Sequence, residues 1–147
     1  MTMELGCKGR AETIVTSEKT AKTAGSGALD VFATPFMAAL MEEAAWTSIQ
    51  PYLEDGQGSV GIALNLTHDA ATPVGMKVWA ESTVTAINGR KVSFSITAYD
   101  ETGVIGTCDH QRAIIDNEKF FTRCQNKLSH YKNIHPMTNP PARCWRF

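Results

Sequence analysis

Val31-Phe32-Ala33-Thr34-Pro35-Phe36-Met37-Ala38-Ala39-Leu40-Met41-Glu42-Glu43-Ala44-Ala45-Trp46 is the stretch that organises the chain. Its pattern predicts one long helix. Thr34 before Pro35 reads as an N-cap followed by a proline at the first helical position, where the missing N–H costs nothing. Pro51 marks the other end. Phe36, Met37, Leu40, Met41, Ala44 and Ser48 recur at helical spacing, so a broad face needs cover. Two carboxylates interrupt this apolar setting. On a helical wheel Glu42 lies nearly opposite the centre of the apolar face and Glu43 nearer its edge, so the wheel alone nominates Glu43. Glu42 acquires a role only if the far side of the helix is also covered, as a second subunit would do.

Nearly everything after the helix reads as strand. Ser59 to Thr67 alternates Val60, Ile62, Leu64 and Leu66 on one face, the pattern of a half-buried strand that ends at His68. Ala70 to Gly75 contains Pro73 and cannot continue the ladder. Met76 to Ile87 alternates again, Asn88-Gly89 is a strong hairpin signal, and Arg90 to Tyr99 is the return strand. Asp100 to Gly103 turns the chain into a further strand, Val104 to Ile115. Asn117 then caps a short helix with Phe120, Phe121, Cys124 and Leu128 on one face. Upstream of the long helix, Arg10 to Val15 is a short edge or interface strand, and Thr16 to Gly27 reads as a mobile loop bordering a pocket.

Length and charge narrow the classes. The 147 residues suit one domain, expected over residues 1–128, with 129–147 as a poorly ordered, extended tail in which Trp145 and Phe147 dock on a neighbour. A formal net charge of −1 argues against nucleic acid and anionic membrane as partners. No apolar run approaches the roughly 18 to 20 residues of a membrane span, and Met1 to Ser17 lacks the apolar core of a secretory signal, so the expected location is cytoplasmic. Cys7, Cys108, Cys124 and Cys144 show no Cys-x-x-Cys pair and read as reduced thiols, with no metal site implied.

One helix followed by long strands is the layout of an α+β hot-dog fold, a central helix wrapped by an antiparallel sheet. Val31-Phe32-Ala33-Thr34 with Glu42 eight residues on, Gly61 in the next strand, Thr67-His68 followed by Ala71-Thr72-Pro73, and Arg112-Ala113-Ile114-Ile115 together resemble the fluoroacetyl-CoA thioesterase-like family of hot-dog acyl-CoA hydrolases. The resemblance runs from about Val31 to Leu128. It implies a homodimer that hydrolyses a small or medium acyl-CoA with no cofactor beyond the CoA of the substrate. It also implies a catalytic group of Thr34, Glu42 and His68, with Phe32, Gly61 and Arg112 at substrate-binding positions.

Each of these residues has suitable chemistry. His68 is the side chain best fitted to take a proton near neutral pH. Glu42 either holds the imidazole or itself attacks the carbonyl. Thr34 can hydrogen-bond to substrate at a helix N-terminus that favours negative charge. The family pattern puts the Gly61 N–H near the acyl carbonyl, and Arg112 near the CoA phosphates. Each also has a plain structural role: Thr34 as a cap, Glu42 as a solvated helix residue, His68 as a surface histidine, Gly61 as a bulge, and Arg112 paired with Asp116 or Glu118. Thr23 to Leu29 contains no aromatic residue, whereas the fluoroacetyl-specific enzyme shields its pocket there with aromatics, so fluoroacetyl specificity is not implied. The competing functions are a non-catalytic acyl-CoA binding protein and a hot-dog dehydratase.

Overall fold

The long helix forms as expected and the sheet is built against it. The computed structural model describes residues 2–135. The strands are β1 (Lys8–Ile14), β2 (Gln57–His68), β3 (Lys77–Asn88), β4 (Lys91–Asp100) and β5 (Gly103–Asp116), and the helices are α1 (Ala21–Ala24), α2 (Thr34–Ile49) and α3 (Asn117–Ile134). One five-stranded sheet has the order β1-β3-β4-β5-β2. β3, β4 and β5 form a meander of antiparallel neighbours, and β1 pairs antiparallel to β3 with Ala11 opposite Ala80.

Alternation along the strands supplies the core. Val78, Ala80 and Val84 of β3, and Val92, Phe94, Ile96 and Ala98 of β4, turn one face of the sheet toward Met37, Leu40, Met41, Ala44, Ala45 and Ile49 of α2. The register shifts between Val84 and Ala86, where the regular alternation stops. In the β3–β4 hairpin Asn88 pairs with Lys91, so Gly89 and Arg90 form the loop, one residue later than Asn88-Gly89. Only Gly89 takes positive φ there, at 59°, the arrangement of a II′ turn.

Several expectations need correction. Thr34 is not the cap of α2: the N-cap is Ala33, and Thr34 and Pro35 lie within the first turn. Residues 16–27 are not a bare loop, because Ser17–Lys19 forms a 3-10 turn and Thr20 caps α1 by accepting from the Thr23 amide at 3.2 Å. The alternating face of β2 is not buried by its own chain: Ile62 is 46% and Leu64 40% exposed, since β2 is an edge strand.

The chain divides into two compact units, residues 1–115 and 116–147. In the second, α3 is capped by the Asp116 carboxylate rather than by Asn117. It continues through Ser129–Ile134, where an extended course is expected. Tyr131 and Ile134 prolong the apolar spacing of Phe121, Cys124 and Leu128, so the stripe survives the change in composition. Trp145, Phe147 and Cys144 lie outside the described residues. No helix among the described residues is long and apolar enough to cross a membrane.

Candidate active site

Two groups of side chains gather the expected site residues. The first lies where the end of β2 meets the start of α2. Here Thr34 Oγ1 is 2.8 Å from His68 Nδ1. With Ala33 as the cap, the Thr34 hydroxyl is free for this contact. Phe32, only 2% exposed, packs its ring edge-on to the imidazole with centroids 6.4 Å apart. His68 Nε2 is buried and has no hydrogen-bond partner among the described residues. Burial pushes the His68 pKa below its ordinary value, with the charge of neighbouring Asp69 acting in the opposite sense. The ring is therefore neutral at pH 7 and able to accept a proton.

Backbone pairing holds these residues in place. The Phe32 amide donates to the Thr72 carbonyl at 2.9 Å, and Val31 bridges to Pro73, which ties the entry of α2 to the loop that follows His68. Thr72 Oγ1 donates to the buried Asp100 carboxylate at 2.7 Å. A pocket of about 230 Å³ opens over the pair, lined by Ala21, Ser26, Phe32, Thr34, His68 and Ala71 among others. In the first turn of α2 Pro35 has no N–H and the Met37 amide donates to the Ala33 carbonyl, which leaves the N–H groups of Thr34, beside the pocket, and Phe36 at the positive end of the helix dipole.

The second group sits further along α2, where β2 and β5 pass beneath it. Glu42 Oε2 accepts from Arg112 Nη1 at 3.1 Å, and the Glu42 side chain is 34% exposed. Arg112, 5% exposed, also directs Nε to Ser59 Oγ at 2.8 Å, Nη2 to the Ser59 carbonyl at 3.0 Å, and Nη1 to His110 Nε2 at 3.2 Å. Gly61 lies against this group, and a Cβ there would collide with Glu42 Oε2. Its lack of a side chain leaves the space that the carboxylate occupies.

The arrangement changes four readings. Arg112 pairs with Glu42, not with Asp116 or Glu118, and its committed, buried guanidinium is not free to meet CoA phosphates. Glu42 is held by its own chain's β5, and no second subunit is needed to explain that contact. The wheel is misleading because it counts exposed Phe36 and omits buried Ala45 and Ile49, which rotate the covered stripe toward Glu42. Lastly, Glu42 hydrogen-bonds neither Thr34 nor His68 among the described residues. Eight residues of helix rise about 12 Å, so one chain presents the expected catalytic group as two separate halves.

His110 was not among the sequence candidates. It is 1% exposed and joins Arg112 to the Ala63 carbonyl, 2.7 Å from its Nδ1. The signal was available, because period-two alternation puts Cys108, His110 and Arg112 on one face of β5.

Comparison with known proteins identifies the family. The family described as FlK, fluoroacetyl-CoA-specific thioesterase, matches residues 15–118. The chain belongs to this family. It is 43% identical over 98 residues, covering 67% of this chain and 70% of the relative, to the fluoroacetyl-CoA thioesterase of Streptantibioticus cattleyicolor. Among solved structures, the fluoroacetyl-CoA thioesterase FlK superposes with a TM-score of 0.81 at 35% identity, covering 86% of this chain and 98% of that one. A thioesterase superfamily member from Thermus thermophilus gives a TM-score of 0.82 at 27% identity, covering 88% and 96%. The expected α+β hot-dog fold is therefore that of a fluoroacetyl-CoA thioesterase family member, and most of α3 lies beyond the matched family segment.

Proposed function

We propose that this protein is a thioester hydrolase that cleaves acyl-CoA to the free acid and CoA, working as a homodimer. The observation that carries this reading is the Thr34–His68 hydrogen bond at the mouth of a small pocket beside the α2 N-terminus. His68 takes a proton from the attacking water as oxygen bonds to the thioester carbonyl. The Thr34 N–H at the pocket and the positive end of the α2 dipole stabilise the resulting oxyanion. Its collapse breaks the carbon–sulfur bond, and the proton held by His68 passes to the departing CoA thiolate. Thr34 holds the ring and the reacting oxygen in line. Glu42 either orients the acid–base group or attacks as a nucleophile. Its Oε1 has no hydrogen-bond partner among the described residues. Neither a metal nor a further cofactor enters this chemistry.

The substrate is read as a small or medium acyl-CoA. Ala21, Ser26, Ala70 and Ala71 line the pocket beside Phe32 and His68, and Thr23 to Leu29 lacks an aromatic shield, so the fluoroacetyl preference named for the relatives is not transferred. The dimer reading rests on β2. Its twelve residues form a sheet edge without proline, lysine or acidic residues, and Ile62 and Leu64 are exposed along it. Such an edge invites pairing unless covered. A twofold partner on it allows the Thr34–His68 half of one chain to face the Glu42 half of the other. The cytoplasm, where thiols stay reduced, is the location this reading assumes; nucleic acid and membrane are not among its partners.

A thiol-release assay over acyl-CoAs of increasing chain length tests the proposal. The expected result is turnover greatest with short acyl groups and reduced about 10² to 10⁴-fold in His68→Ala. Tight acyl-CoA binding with no thiol released would instead identify a non-catalytic binding protein.

A further inference from the structure

We propose that His110 is a positioning residue for Glu42, acting through Arg112. The inference rests on the thioesterase reading for its kinetic consequence and on geometry alone for its structural part. His110 Nδ1 is 2.7 Å from the Ala63 carbonyl, which can only accept, so Nδ1 carries the hydrogen. Nε2 is 3.2 Å from Arg112 Nη1, and a guanidinium can only donate, so Nε2 must present its lone pair. The neutral Nδ1–H tautomer is the one form that satisfies both neighbours. Protonation would drive an N–H against the guanidinium. Burial lowers the His110 pKa, and the charge of Arg112 lowers it further.

This tautomer has consequences for the carboxylate. Arg112 Nη1 has two hydrogens: one goes to His110 and the other to Glu42 Oε2. With Nε and Nη2 committed to Ser59, the guanidinium plane cannot turn without losing several charge-assisted bonds. His110 also ties β5 to β2 at Ala63, two residues from Gly61, over which the Glu42 carboxylate sits. The buried ring, stacked on Phe94 at 5.8 Å, thus fixes both the cation that holds Glu42 and the strand beneath it.

His110→Phe and His110→Gln test the assignment. Phenylalanine keeps the stack on Phe94 but removes both hydrogen bonds, while glutamine keeps an acceptor for Arg112. The expected result is a roughly tenfold loss of kcat in His110→Phe with KM changed less than about twofold, largely recovered in His110→Gln. In a Glu42→Asp background, where the carboxylate is withdrawn from Arg112, His110→Phe should cost less than about twofold more. An equal loss in both backgrounds, a change in KM alone, or an unchanged kcat in a folded variant would overturn the proposal. Nitrogen-15 NMR of the wild-type imidazoles is independent of turnover and of how the variants fold. It should report the Nδ1–H tautomer at neutral pH; an Nε2–H tautomer or an imidazolium would overturn the proposal. If no acyl-CoA is hydrolysed, the thioesterase reading fails while this spectrum still decides the state of His110.

Discussion

His68 and Gly61 show how much a single side chain, or the lack of one, decides at this site. Burial holds the His68 pKa below its ordinary value of about 6.5. The base form therefore persists through neutral pH and is lost only under acid conditions. The acid limb of kcat/KM should lie below pH 6.5 and disappear in His68→Ala; a limb centred above pH 7 would contradict the assignment. The neutral ring is also the form favoured by folding, so any contribution of His68 to stability is lost as pH falls through this same range. At Gly61 the constraint is space. An added methyl group meets Glu42 Oε2 first, then His110 and Arg112. Because the obstructing atom ends a movable side chain, Gly61→Ala should fold with a melting temperature near wild type. It should displace the carboxylate and lower kcat by about tenfold or more. A variant that melts far lower would point to backbone obstruction instead.

The elements add a constraint that no single site residue carries. The Asp100 carboxylate, 4% exposed, accepts from Thr72 Oγ1 at 2.7 Å, from the Thr102 amide at 2.8 Å and from Thr102 Oγ1 at 2.7 Å. Burial alone would raise its pKa, but these hydrogen bonds outweigh that effect and hold it below the ordinary value. A carboxylate whose folded pKa is depressed adds stability above its unfolded pKa of about 3.9, and that stability is lost as pH falls through the folded value. Asp100→Asn should therefore be less stable by about 1 to 2 kcal/mol at pH 7, with the gap narrowing near pH 3. Urea midpoints at the two pH values measure this; a gap that does not change with pH would show that the charge is not responsible. Element order was legible because period-two alternation and turn residues such as Gly89 are local signals. Burial on β2 was not, since Ile62 and Leu64 are patterned for a face that their own chain leaves open. Nor is the cap legible locally: Ala33 takes the N-cap position, and the Thr34 hydroxyl meets His68, thirty-four residues away.

At the scale of the whole molecule, residue identity was easier to read than assembly. The motif draws Thr34, Glu42, His68, Gly61 and Arg112 from the sequence, and the structure gathers them into two groups. Their division into a Thr34–His68 half and a Glu42–Arg112 half follows in part from helix rise, which the eight-residue spacing of Thr34 and Glu42 implies, and in part from which strand meets each end of α2, which spacing does not convey. Nor did the motif single out His110, whose importance lies in its two hydrogen-bond partners. If two chains pair along β2 and complete each other's site, inactivating different halves should be complementary. His68→Ala and Glu42→Gln homodimers would each lack one half at both sites. In a mixed dimer, one site carries both substitutions and the other carries neither. Random equal mixing makes half the dimers mixed, each with one intact site of two, so activity should return to about a quarter of wild type. Co-expression with two affinity tags isolates the mixed dimer and raises the expected activity to about half of wild type. A purified mixed dimer without thiol release would mean that each chain uses its own Thr34, His68 and Glu42, and that the two halves close on one another within a protomer.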